Sequence, residues 1–161
     1  MRTVIGVMGS GRPLPPAAAA TARHLGSLIA AENWVLLTGG RASGVMDACS
    51  QGARVAGGFV VGVLPDVDTL RASSALDIAI CTGFGDARNV VNVLSSDVVI
   101  ALPGGAGTLS EVALALSARK PMIALGWDPG AAARAAGRII DADTPEAAIE
   151  AAKDLLAKGL K

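Results

Sequence analysis

The 161-residue chain predicts an α/β fold: a single Rossmann-like domain over residues 1–161, with an open, mostly parallel sheet and helices on both faces. Three observations predict it. Short runs rich in Val, Ile and Leu alternate with segments of helical periodicity, at the spacing of βαβ units. Apolar residues make up 52% of the chain and aromatics only 2%, so the core must be aliphatic. Twenty glycines, many directly after predicted strands, suit tight βα turns and not a helical bundle.

The first strand is Thr3–Met8, followed by the turn Gly9-Ser10-Gly11-Arg12. Pro16 fits the first turn of a helix over 17–31, where its missing N–H costs nothing. His24, within that helix, reads as a surface or packing residue. Trp34–Thr38 is a second strand ending in Gly39-Gly40-Arg41, with a helix over 44–56. Phe59–Leu64 is the third, and residues 66–76 form an irregular connection. Ile78–Ile80 is a short strand, and a helix over 86–95 follows it. Asp97–Leu102 reads as a strand buried on both faces. After it, Leu109, Val112, Ala113 and Leu116 keep helical spacing up to Lys120 and Pro121. Met122–Leu125 and Arg138–Ile140 supply two more strands around an Ala-rich segment. Thr144-Pro145-Glu146 caps the last helix, which runs to Lys158.

Composition excludes several function classes. The formal charge is zero, so no electrostatic footprint for nucleic acid or an acidic membrane surface exists. No apolar run reaches membrane length, and no signal peptide precedes the first strand. Two cysteines make no disulfide scaffold, which predicts a cytoplasmic setting, and one histidine leaves no donor set for a protein zinc site.

The candidate chemistry gathers at Pro103-Gly104-Gly105-Ala106-Gly107-Thr108-Leu109-Ser110-Glu111. A glycine turn opening a helix presents backbone N–H groups and the positive end of the helix dipole, which suits phosphate. Thr108-Leu109-Ser110-Glu111 also fits a capping box, which needs no ligand. Close approach of a ligand explains Gly104, Gly105 and Gly107 better than capping does. Glu111 does not suit phosphate; its carboxylate points to a ribose, a hydroxyl, a water or a developing cation. Arg88 and Asn89 open the preceding helix at a strand's carboxyl end, where Arg88 can fork onto an anion. In a parallel sheet these groups share one edge with Gly9, Ser10, Gly39, Gly40 and Arg41. No G-x-x-x-x-G-K-[ST] occurs, and the turn Gly9–Pro13 fails the dinucleotide fingerprint.

The stretch from Pro103 to Glu111 resembles the PGGxGTxxE signature of the LOG-like proteins, once labelled lysine decarboxylases. These include cytokinin riboside monophosphate phosphoribohydrolases. Gly39-Gly40 with Gly44-Val45-Met46 is similar to that family's second glycine turn. Arg88 stands at the spacing of the arginine paired with the motif glutamate. Over residues 4–126, Ile5-Gly6-Val7-Met8-Gly9, Trp34–Arg41, Gly62–Pro65, Ala87-Arg88-Asn89 and Leu94-Ser95-Ser96 resemble the molybdenum cofactor carrier branch. Asn89 departs from the phosphoribohydrolases, which typically place lysine there. The intact motif with Glu111 departs from the carriers.

The resemblance implies two functions. One is a carrier that holds the molybdenum cofactor, a phosphate-bearing pterin, with Gly9, Ser10, Gly39, Gly40, Arg41, Arg88, Asn89, Pro103, Gly104, Gly105, Gly107 and Thr108 forming the pocket. The other is hydrolysis of the N-glycosidic bond of a nucleoside 5′-monophosphate, with Arg88 and Glu111 as catalytic residues. Neither uses a metal ligated by the protein. Both imply a homo-oligomer, dimer or tetramer.

Overall fold

A computed structural model describes residues 1–159 of the chain. Seven parallel strands form one sheet: β1 (Val4–Met8), β2 (Val35–Thr38), β3 (Phe59–Leu64), β4 (Ile78–Cys81), β5 (Val98–Ala101), β6 (Met122–Leu125) and β7 (Ile140–Ala142). Their order is β4-β3-β2-β1-β5-β6-β7. The chain thus winds outward from β1 to one edge and then from β5 to the other. The switch point lies between β1 and β5, where Ile5 pairs with Val98 and Met8 with Ala101.

Alternation along the strands sends successive side chains to opposite faces. Ile5, Val7, Val98 and Ile100 face α1 (Pro16–Ala31), α2 (Gly44–Val55) and α6 (Pro145–Ala157). Met8, Val99 and Ala101 face α3 (Asn89–Leu94), α4 (Ala106–Ser117) and α5 (Ala131–Ala136). The aliphatic core expected from composition is therefore split in two by the sheet. A pair of glycines brings α1 and α2 together. A Cβ on Gly26 would strike the backbone carbonyl of Cys49, and one on Gly52 the carbonyl of Arg23.

Several boundaries differ from the sequence-based expectations. The helix expected over 86–95 is a 3-10 turn, Gly85–Arg88, followed by the short α3. Lys120 ends α3 by donating to the carbonyls of Leu94 and Ser96 at 3.0 and 2.6 Å. The Ala-rich segment forms α5, and the strand expected at 138–140 sits later, at 140–142. Its register is set by pairing Ile140 with Ile123 and Ala142 with Leu125. Residues between β3 and β4 are irregular, as expected, so no helix covers β4 there, and Ile78 and Ile80 are each 45% exposed. His24 lies at the surface of α1 and meets Glu146 of α6 at 2.5 Å.

Candidate functional site

The carboxyl ends of β1 and β5 part at the switch point, and a cleft of about 970 Å³ opens there. The turn after β1 supplies Gly9, Ser10 and Gly11, and the turn after β5 supplies Pro103, Gly104, Gly105 and Gly107. The two turns are tied by Ser10 N–H donating to the Pro103 carbonyl at 3.2 Å. The carbonyl of Ser10 in turn accepts from Val45 N–H at 2.8 Å, which fixes the start of α2 against the β1 turn. Gly44 has φ +59, and a Cβ there would strike that same carbonyl, so only glycine fits.

The capping box expected at Thr108 is not made. Helix α4 begins three residues earlier than that box would start it, with Gly105 as its N-cap and no side-chain cap. Its first backbone bond is Leu109 N–H to the Gly105 carbonyl. The N–H groups of Ala106, Gly107 and Thr108 therefore have no intrahelical acceptor and remain for a ligand. Thr108 folds back over Gly104 instead, where its hydroxyl occupies the position of a Cβ. Glu111 is drawn elsewhere: it accepts a hydrogen bond from Asn92 Nδ2 at 3.0 Å, in the buried space between α3 and α4.

The three glycines of the turn do different work. Gly105 and Gly107 line the cleft, and a Cβ on either would meet nothing within 4 Å. Gly104 is small because Thr108 needs its space. On the far wall, a Cβ on Gly39 would strike Arg88 Nη1 and, at 2.5 Å, Met46 Sδ. Gly39 thus leaves room for the guanidinium to lie across the end of β2.

Arg88 is 8% exposed, and its Nε and Nη1 have no hydrogen-bond partner among the described residues. Burial lowers its pKa, and the nearby Glu111 carboxylate opposes that effect. An unpaired buried guanidinium is costly, so this arrangement calls for an anion. Glu111 is 7% exposed, and burial pushes its carboxyl up to about 6, against the Asn92 hydrogen bond and the charge of Arg88. Asn89 is buried too and donates to Ser110 Oγ at 2.8 Å, bracing α3 against the first turn of α4.

Of the expected site residues, Gly9, Ser10, Gly39, Arg88, Asn89, Pro103, Gly104, Gly105, Gly107, Thr108 and Glu111 line this cleft. Gly40 and Arg41 do not. Gly40, at φ +77, packs on the backbone of Gly62 in β3. Arg41 is forked onto Asp66 through two bonds of 2.8 and 2.7 Å, which hold its charge at the β2–β3 edge. Asn92 was not among the expectations. Its signal was a lone polar residue inside Val90-Val91-Asn92-Val93-Leu94, four positions after Arg88 and so on the same helix side.

A protein-family model for the SLOG cluster4 family matches residues 2–152. The chain belongs to the SLOG cluster4 family. Solved structures of similar chains reproduce the whole architecture. The molybdenum cofactor binding protein of Rippkaea orientalis is 49% identical with a TM-score of 0.91, covering 97% of this chain and 98% of its own. The molybdenum cofactor carrier protein of Chlamydomonas reinhardtii is 46% identical with a TM-score of 0.89, covering 98% and 99%. A cytokinin riboside 5′-monophosphate phosphoribohydrolase of Mycobacterium tuberculosis is 38% identical over 93 residues. That match covers 56% of this chain and 50% of the enzyme's length. This SLOG cluster4 chain is thus similar over nearly its full length to cofactor-binding proteins, and over a part to phosphoribohydrolases.

Proposed function

We propose that the protein is a carrier that holds the molybdenum cofactor, a phosphate-bearing pterin, as cargo in the switch-point cleft. One observation carries this reading: the buried Arg88 guanidinium, unpartnered among the described residues, beside a glycine turn that is open at Gly105 and Gly107. An anion in the turn of Gly105 and Gly107 would take the free N–H groups of α4 and the field of its dipole. Arg88 would supply charge and two further donors. Gly9 and Ser10 would close the other side, and Thr108 and Asn89 would hold the turn in shape. The near full-length similarity to cofactor-binding proteins supports the same cargo.

The test is to purify the protein from cells that make the cofactor and measure molybdenum and oxidised pterin fluorescence per chain. Arg88→Met is expected to lose both, and full retention by that variant would refute the reading.

A second reading, hydrolysis of a nucleoside 5′-monophosphate, is favoured by one specific observation. Glu111, with its carboxyl pushed up to about 6 beside Arg88, can hold or release a proton near neutral pH. Incubation with AMP would then release adenine and ribose 5-phosphate, and Glu111→Gln would abolish it. No turnover together with retained cargo leaves the carrier reading alone.

A second copy of the chain is the partner we assign to the uncovered apolar surface, where β4 and the outer sides of α3 and α4 expose Ile78, Ile80, Val90, Leu94 and Leu109. A monomer in light scattering would rule it out. No helix among the described residues is long and apolar enough to cross a membrane. A cytoplasmic location accords with Cys49 and Cys81, both of which are free thiols.

A further inference from the structure

The cleft is longer than its anion cradle. Its lining runs along five neighbouring strand ends: Gly39 after β2, Gly9 after β1, Pro103 after β5, Gly126 after β6 and Asp143 after β7. Four inter-strand steps amount to about 19 Å. The cradle sits at the β1/β5 crossing, so a lobe extends beyond it by two strands, or about 10 Å. This lobe lies on the side away from Arg88 and Glu111. Leu14, Ala18 and Thr21 wall it from α1 and the loop before it, and Leu125, Gly126 and Asp143 wall it from the sheet.

Most of that wall is apolar. Its ionisable group on the sheet side is Asp143, while Arg12 lines the cleft from the loop before α1. The neighbouring polar side chains are already committed: Asp141 is paired with Arg134 at 2.7 Å, and Thr144 caps α6. Asp143 between them is exposed and has no hydrogen-bond or ion-pair partner among the described residues. It is therefore an acceptor-only group at the end of a ring-sized lobe, with nothing in the fold that uses it.

The geometry points to a second subsite here that takes a 2-amino-4-oxopyrimidine ring, the ring shared by pterins and guanine, with the Asp143 carboxylate as its specificity determinant. Such a ring presents its 2-amino group and the adjacent ring N–H side by side, and a carboxylate accepts both in parallel. Adenine offers one amino donor next to a ring acceptor, whose lone pair the carboxylate repels. The subsite deepens the carrier reading and rests on it, because the phosphate in the cradle is what anchors the ring at this reach.

The experiment is isothermal titration of the full chain with inorganic phosphate, GMP, AMP and 6-hydroxymethylpterin, for the wild type and Asp143→Asn. Asp143 is exposed, so the variant keeps the fold. GMP is expected to bind at least about tenfold more tightly than AMP, since bonds to a charged acceptor are the stronger kind. Asp143→Asn is expected to remove that preference, weakening GMP and tightening AMP, because the amide accepts from the adenine amino group and donates to the ring nitrogen, while leaving inorganic phosphate unchanged. The pterin is expected to compete with GMP in the wild type and about tenfold more weakly in the variant. Equal binding of GMP and AMP, a preference that survives in Asp143→Asn, or a pterin that does not compete overturns the subsite. Failure of inorganic phosphate to compete with GMP overturns the cradle instead, so the two readings fail separately.

Discussion

Glu111 holds a carboxyl group where burial penalises its charge, and that penalty is measurable without knowing the ligand. The unfolded chain titrates it near 4.5 and the folded chain at about 6. The folded state therefore binds this proton more tightly. Stability conferred by the proton is present in full below about pH 4.5 and is lost as pH rises through about 6. A shift of this size corresponds to about 2 kcal/mol between the two limits. Glu111→Gln removes the titration while keeping the shape of the side chain. Denaturant unfolding of the ligand-free protein at several pH values between 4.5 and 7.5 should show the wild type losing about 2 kcal/mol relative to the variant over that range. At pH 7 the variant gains less than this over the wild type, because Arg88 then lacks the carboxylate that offsets its own burial. Other groups titrate in both proteins and cancel in the difference. Parallel pH profiles for the two proteins, or a variant that loses relative stability as pH rises, would refute the buried and ionised carboxylate.

Three further outcomes are expected. Gly105→Val and Gly107→Val, whose side chains would enter open cleft space, should leave the melting temperature nearly unchanged and weaken phosphate or cargo binding at least about tenfold by titration calorimetry. Asn92→Ala strips Glu111 of its hydrogen bond. It should cost about 1–3 kcal/mol in denaturant unfolding and move the Glu111 titration upward. Gly26→Ala places a methyl group against the carbonyl of Cys49. It forces α1 and α2 apart, and should destabilise by about 1–3 kcal/mol in the same assay without altering phosphate affinity.

The sequence makes local periodicity visible, and the fold followed where local periodicity decides. The first six strands, the glycine turns at their carboxyl ends and the irregular link before β4 lie where aliphatic runs and breakers put them, whereas β7 is shifted to 140–142 by its pairing with β6. What was not legible depended on groups brought together across elements. The spacing of Thr108 and Glu111 satisfies a capping box, yet Asn92 on a separate helix takes the carboxylate. A capping partner gains one exposed bond, whereas a carboxylate buried without a donor costs more. Arg41, like Arg88, was expected at a strand's carboxyl end, but Asp66, twenty-five residues on, binds it. The glycines make the same point most sharply. Gly9, Gly39 and Gly104 are small because Val45, Arg88 and Thr108 fill the space beside them. At Gly105 and Gly107 no part of this chain lies within 4 Å of where a Cβ would be. One letter in the sequence stands for both cases, and Gly57 and Gly159, open as well but away from the cleft, show that an open glycine points to a ligand only where it also lines a cavity.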